Sequence, residues 1–217
     1  MTDALTGLSD TRISSFGTNA TGVPFGLASA APTSTTYAKI LGTSFKQVNS
    51  SFVFINAASV LLAKAEAIEL GWTSLTTADA ETAYKAAITA SFAQWGVTLP
   101  ASYLTTGVAN YQSGIGVAAI GGSSVAGSNA TTATKIARIN LQQWIAFYPN
   151  GRQGWSNWRR TGFPDLKPTV NASNTGGKIP RRIPYGPNDY ASNAVQVALA
   201  ATAIGGDTQD TRVWWDK

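Results

Sequence analysis

The densest chemistry in the chain lies in Gly154-Trp155-Ser156-Asn157-Trp158-Arg159-Arg160-Thr161-Gly162-Phe163-Pro164 and in Lys178-Ile179-Pro180-Arg181-Arg182-Ile183-Pro184-Tyr185. Basic residues interleaved with aromatics can hold a nucleic acid through phosphate contacts and base stacking. The same residues can instead brace a surface. Guanidinium groups stack on indoles, bond the carbonyls of proline-rich backbone and pair with distant acids. The segment from Lys135 to Arg182 holds nine Lys/Arg against a single acid, Asp165, and the other ten acids lie outside it. Asp189, Asp207, Asp210 and Asp216 are nearest in sequence and available as partners. The bracing reading is therefore adopted. Trp155, Trp158, Arg159, Arg160, Arg181, Arg182, Trp214 and Trp215 are assigned to structure, and no nucleic-acid partner is expected.

Other candidate chemistry is sparse. Glu66 and Glu69 stand three apart on one helical segment, a spacing open to acid–base work on a glycosidic bond. Ion pairing is the reading adopted for them. Gly114-Ile115-Gly116-Val117-Ala118-Ala119 matches a dinucleotide-loop pattern in form only: no strand precedes it, and the next acid is Asp165. The chain has no His and no Cys, which removes the commonest general base, thiol nucleophiles and most metal-ligand sets. No cofactor, no metal and no catalysis are expected. Seven Trp residues are many for this length. Exposed rings can stack on the apolar faces of sugars while amides bond the hydroxyls, although helix-end packing explains most of these indoles.

Helices must position these groups. Ala57 to Leu70 keeps apolar residues at helical spacing and ends at Gly71, with Trp72 able to pack back over the last turn. A second helix starts near Thr77, carries Asp79 and Glu81 at its positive end, and runs to Trp95. The short connection makes the two an antiparallel helical hairpin of helix-pair-repeat size. Ser102 to Tyr111 is expected as a third, short helix, and Ser113 to Ser128 as a loop. Thr131 to Phe147 is expected as a long helix with a wide apolar stripe, stopped by Pro149-Asn150-Gly151. Five prolines between residues 152 and 187 exclude a long helix there. A last helix spans Asn188 to Ala203. Residues 1–50 keep no period and are expected as an irregular segment with two short strands. The fold class is mainly α with long ordered loops.

The 217 residues suffice for a core, and only 12% are charged. Ala occurs 34 times and Ser plus Thr 45 times, so the surface must be mostly hydroxyl, amide and glycine backbone. No apolar run reaches a membrane span. Met1-Thr2-Asp3-Ala4 does not open a secretory signal. That fits a cytoplasmic chain, or a piece of a longer one without its export segment.

Several segments in this order resemble the SusD/RagB family of outer-membrane nutrient-binding lipoproteins. They are Trp155-x-x-Trp158-Arg159-Arg160-Thr161-Gly162-Phe163-Pro164, Ile179 to Tyr185, Asn193, Gly205-Gly206-Asp207 and Trp214-Trp215-Asp216. The helix Ala57 to Trp72 and the segment Leu8-Ser9-Asp10-Thr11-Arg12-Ile13 resemble further parts of it, with Thr11 where the family usually has Pro. The resemblance implies a single C-terminal SusD-like region over 1–217, with one tetratricopeptide-like hairpin. It also implies a lipid anchor on an absent part of the parent chain and a place at the cell surface of Bacteroidetes. Its partners would be an oligosaccharide or other oligomeric nutrient and a TonB-dependent SusC-like transporter. Aromatics of the opening segment and loops, namely Phe16, Phe25, Tyr37 and Trp72, are the expected ligand contacts. The alternative is a helical interaction module that binds no glycan.

Overall fold

The computed structural model describes residues 1–19, 21–22, 37–113, 132–166, 168 and 178–216. Among them the chain is mainly α. Its helices are α1 (Thr2–Gly7), α2 (Ile13–Phe16), α3 (Ala57–Glu69), α4 (Thr77–Gln94), α5 (Thr132–Ala146), α6 (Gly151–Thr161) and α7 (Pro187–Ala203).

The centre is the α3–α4 hairpin. Ala58, Leu62, Ala65 and Ile68 fall at intervals of three and four and make one buried stripe. Ala80, Ala83, Tyr84, Ala87, Ile88 and Phe92 form the facing stripe of α4. Small side chains on both faces let the backbones approach closely. Gly71 terminates α3 at φ +72°, a region that side chains with a Cβ rarely enter. The Trp72 N–H then bonds the Ala67 carbonyl at 3.0 Å. Asp79 opens α4, accepting from the Thr76 N–H at 2.8 Å and the Thr76 hydroxyl at 2.7 Å. These bonds hold the Asp79 carboxyl below its usual range.

Helix α5 lies against α3 and α6 and is buried almost all round. Beside Ile139, Leu141 and Ile145 it buries Arg138, Asn140 and Gln142. A stripe reading of α5 accounts for the apolar residues but not for these polar ones. They anchor neighbours: Arg138 Nε donates to the Val108 carbonyl at 2.8 Å, and Asn140 Nδ2 donates to Glu66 at 3.1 Å.

Three expectations are corrected. The described residues of the opening segment hold α1, α2 and the 3-10 turn Thr43–Phe45, and among them one isolated bridge, Gly17 to Ile40, stands in place of two strands. Residues 101–112 form turns, not a helix. There Thr105 and Thr106 N–H both bond the Ser102 carbonyl, the Thr106 hydroxyl competes for it at 2.9 Å, and Gly107 sits at φ +65°. Residues Gly151–Thr161 wind into α6, because the prolines begin only at Pro164. Gly162 ends it at φ +76°.

The opening segment is fastened by a buried ion pair. Arg12 is 0% and Asp10 2% exposed. Arg12 donates from Nε to Oδ1 at 3.0 Å and from NH2 to Oδ2 at 2.5 Å. Its remaining donors reach Ser91 of α4 at 2.7 Å and Gln142 of α5 at 2.9 Å. Tyr103 donates its hydroxyl to Asp10 at 2.6 Å. The Phe92 ring lies 4.4 Å below the guanidinium. Burial alone would push this guanidinium down; the hydrogen bonds and charge supplied by Asp10 and Tyr103 outweigh it and hold Arg12 above its ordinary value.

A second tie closes the far end. The Arg159 guanidinium lies 3.7 Å from the Trp155 ring and 4.3 Å from that of Trp215. Its NH1 donates to the Arg181 carbonyl at 2.5 Å. Arg181 stands over Trp158 at 4.7 Å and pairs with Asp216; Arg182 pairs with Asp207, and Lys178 with Asp210 at 2.5 Å. Asp189 joins none of these pairs. It accepts from the Gly186 N–H at 2.9 Å and caps α7. Trp214 is 95% exposed. Helix α7 contacts no other helix among the described residues.

Replacing Asp10 by Asn leaves a guanidinium buried without its counter-charge. It is expected to cost about 3 to 5 kcal/mol in urea unfolding of the full parent chain. The double replacement Asp10→Leu/Arg12→Met is expected to cost less than Asp10→Asn alone.

Candidate functional site

A groove of about 780 Å³ opens where the approach to α3, the end of α4 and the turn from α5 into α6 meet. The N-cap of α3 fixes the first wall. Asn56 Oδ1 accepts from the Ser59 N–H at 2.6 Å, and Asn56 Nδ2 donates to the Ala146 carbonyl at 2.8 Å. One side chain thus starts α3 and joins it to the end of α5. Asn150 shapes the second wall by accepting from the Gln153 N–H at 3.2 Å, which starts α6.

The floor is aromatic. Trp95 and Tyr148 line it, and the Phe16 ring backs them, stacked on Tyr148 at 4.4 Å and tilted against Trp95 at 4.6 Å. The Tyr148 hydroxyl donates to the Phe16 carbonyl at 2.5 Å and accepts from the Leu41 N–H at 3.1 Å. Burial pushes this phenol up, against the pull of the Leu41 N–H. Gly42 follows, and its N–H bonds the Ser15 carbonyl at 2.7 Å. A Cβ there would meet that oxygen at 2.9 Å, so the close approach requires glycine.

The rim is unusual for a folded chain. Phe52, Val53, Phe54 and Ile55 run consecutively outside any helix, and Phe52 and Phe54 are 77% and 81% exposed. Their rings meet edge to face at 4.8 Å. Exposed aromatic edges beside a concave floor make this groove the candidate site, because such exposed apolar patches commonly mark interaction surfaces. Gln94 and Gln153 also line the groove, and their side-chain amides engage no partner among the described residues. The arrangement offers ring faces for stacking and amides for hydroxyl groups.

The residues expected to touch ligand do not converge. Phe16 is 4% exposed and supports the floor from behind, leaving no ring face open. Tyr37 is half-buried and does not line the groove. Trp72 is 73% exposed but follows the far end of α3; 13 helical residues separate the two ends by about 20 Å. Phe25 lies outside the described residues, as does the Gly114–Ala119 pattern. Phe52 and Phe54 stand at the groove instead, in a run too short to carry a helical or alternating period. The signal was four consecutive apolar residues ahead of a helix cap.

The two carboxylates of α3 are tied away from the groove. Arg160 grips Glu66 through NH1 at 2.9 Å and NH2 at 2.7 Å. Glu69 accepts from the Tyr111 hydroxyl at 2.7 Å and from Thr77, with Lys135 at 3.8 Å. No group of His, Cys, Asp or Glu able to hold a metal ion occurs among the described residues, and no helix there is long and apolar enough to cross a membrane.

A family model of SusD-like type, described as starch-binding proteins associating with the outer membrane, matches residues 1–186. Solved structures superpose on nearly the whole chain. A SusD homologue from Bacteroides vulgatus is 26% identical with a TM-score of 0.72, covering 100% of this chain and 48% of its own. A chitin-binding SusD homologue from Flavobacterium johnsoniae is 28% identical with a TM-score of 0.71, covering 98% and 48%. A SusD homologue from Bacteroides thetaiotaomicron is 25% identical with a TM-score of 0.72, covering 98% and 50%. The chain therefore spans about half the length of these structures. No curated protein matches it.

Glu66→Gln removes one charge from a partly exposed pair. It is expected to lower the unfolding free energy by about 1 kcal/mol in a denaturant titration, with ligand binding at the groove unchanged.

Proposed function

The chain belongs to the SusD-like family of starch-binding proteins that associate with the outer membrane, and from that premise we propose that it is the C-terminal portion of a cell-surface glycan-binding component. It holds an oligosaccharide without transforming it and hands it to a TonB-dependent SusC-like transporter. A lipid anchor on the remainder of the parent chain keeps it at the surface.

One observation carries this reading: the exposed Phe52 and Phe54 rings stand at a groove that also presents the Gln94 and Gln153 amides. Aromatic rings stack on the apolar faces of pyranose rings, and neutral amides both donate to and accept from hydroxyl groups. No described residue lining the groove is an acid or a base. The acids of α3 are engaged with Arg160 and Lys135, and the sequence has no imidazole.

A second reading rests on α7. It exposes Val195 at 70% and Leu199 at 61% and packs on no other helix among the described residues. This favours a helical protein–protein interaction module. Affinity capture from detergent-solubilised membranes separates the two: recovery of a β-barrel transporter supports the first, recovery of a soluble protein alone the second.

Phe52→Ala/Phe54→Ala in the full parent chain is expected to weaken oligosaccharide binding by about tenfold or more in isothermal titration. Both rings are exposed, so the unfolding midpoint should move little. Unchanged affinity would remove the groove from the binding surface.

A further inference from the structure

Charge is distributed along this chain in blocks. Residues 13–38, 47–63, 86–134 and 139–151 contain no Lys, Arg, Asp or Glu. The fold brings three of these blocks together at the groove: 47–63 supplies the rim and the start of α3, 86–134 supplies Gln94 and Trp95, and 139–151 supplies Phe147 to Asn150. The remaining lining residues, Leu41, Phe45 and Gln153, are uncharged too. Every described residue that lines the groove is therefore neutral. The charges nearest in sequence, Lys46 and Arg152, are exposed and lie outside the lining.

We infer that the groove selects uncharged oligosaccharides and excludes acidic ones. This rests on the glycan-binding reading above. A uronate or sulfate entering the groove would lose hydration and meet ring faces and amides with no cation to repay it. A neutral pyranose loses only hydroxyl hydration, which the Gln94 and Gln153 amides can replace. The ring faces that attract C–H groups carry the negative side of the aromatic quadrupole and repel an anion. Recognition built this way contains no ion pair, so salt has nothing to screen.

The test uses the full parent chain and a panel of neutral probes: maltohexaose, cellohexaose, mannohexaose and chitohexaose. The acidic probes are a hyaluronan hexasaccharide and a hexagalacturonate. Titrations run in about 50 and about 500 mM NaCl, a range over which the screening length shortens severalfold. At least one neutral probe is expected to bind, with affinity changing less than about twofold with salt. Both acidic probes are expected to bind at least about tenfold more weakly. Lys46→Ala/Arg152→Ala should leave the neutral affinity in place. An acidic probe that binds as tightly as the neutral ones, loses affinity in high salt and depends on Phe52 and Phe54 overturns this inference alone. Failure of every probe, or binding that Phe52→Ala/Phe54→Ala leaves untouched, overturns the groove reading and this inference with it.

Discussion

One buried ion pair decides how the rest of the molecule is arranged. Asp10 and Arg12 belong to a stretch with no regular structure between α1 and α2, yet both are removed from water. Taking two charges out of water is unfavourable unless every donor and lone pair finds a partner. That condition dictates geometry. Arg12 needs Ser91 from α4, Gln142 from α5 and Tyr103 from the turn segment in place at once. No single helix can satisfy it. The pair therefore couples four segments that are remote in sequence, and the hydrophobic contacts of Leu5 and Phe16 with Trp95 and Ile145 follow from that coupling. Burial raises the Tyr103 phenol well above its ordinary value and keeps it a donor to Asp10.

Away from this knot, polar and apolar work is segregated. The closing third concentrates its cations and engages most of those it pairs within itself, with Arg159 on two indoles, Arg181 on Asp216 and Arg182 on Asp207, while Arg160 reaches back to Glu66 of α3. Stacked guanidinium groups keep their in-plane N–H donors free for carbonyls, which explains how one arginine can both pack and bond. The groove has the opposite make-up: its described lining is uncharged, with aromatic and aliphatic side chains beside amides and serine hydroxyls. A charged, stacked scaffold and a neutral groove are thus drawn from different stretches of one chain.

How much of this could be read beforehand differs from element to element. The α3–α4 hairpin was legible because its apolar residues recur at helical spacing and Gly71 and Asp79 mark its turn. The sequence motif around Trp155 to Pro164 pointed to the family, but α6 was obscured by prolines that begin only after it ends. Asp10 and Arg12 stood in a segment whose resemblance was noted, while their burial depends on partners up to 130 residues away and leaves no local trace. The apolar stripe of α5 was legible, but the burial of Arg138, Asn140 and Gln142 beside it depends on tertiary contacts and leaves no mark in the helical period. The groove was hidden for a related reason. Phe16 has the same composition signal as Phe52, and only the fold decides which ring is sealed and which is presented.

The sandwich of Arg159 between Trp155 and Trp215 has an environmental consequence. A guanidinium stays protonated at any acidity a cell meets, and the chain contains neither imidazole nor thiol. Bonds from Tyr190, the Tyr185 N–H and Arg182 hold the Asp207 carboxyl below the usual carboxylate range, so its contribution is lost as pH falls through that lowered range. Between the carboxylate and phenol ranges the side chains have no switch to throw. Within the chain given, neither a histidine proton nor a cysteine oxidation can loosen the stack of Arg159 on its two indoles.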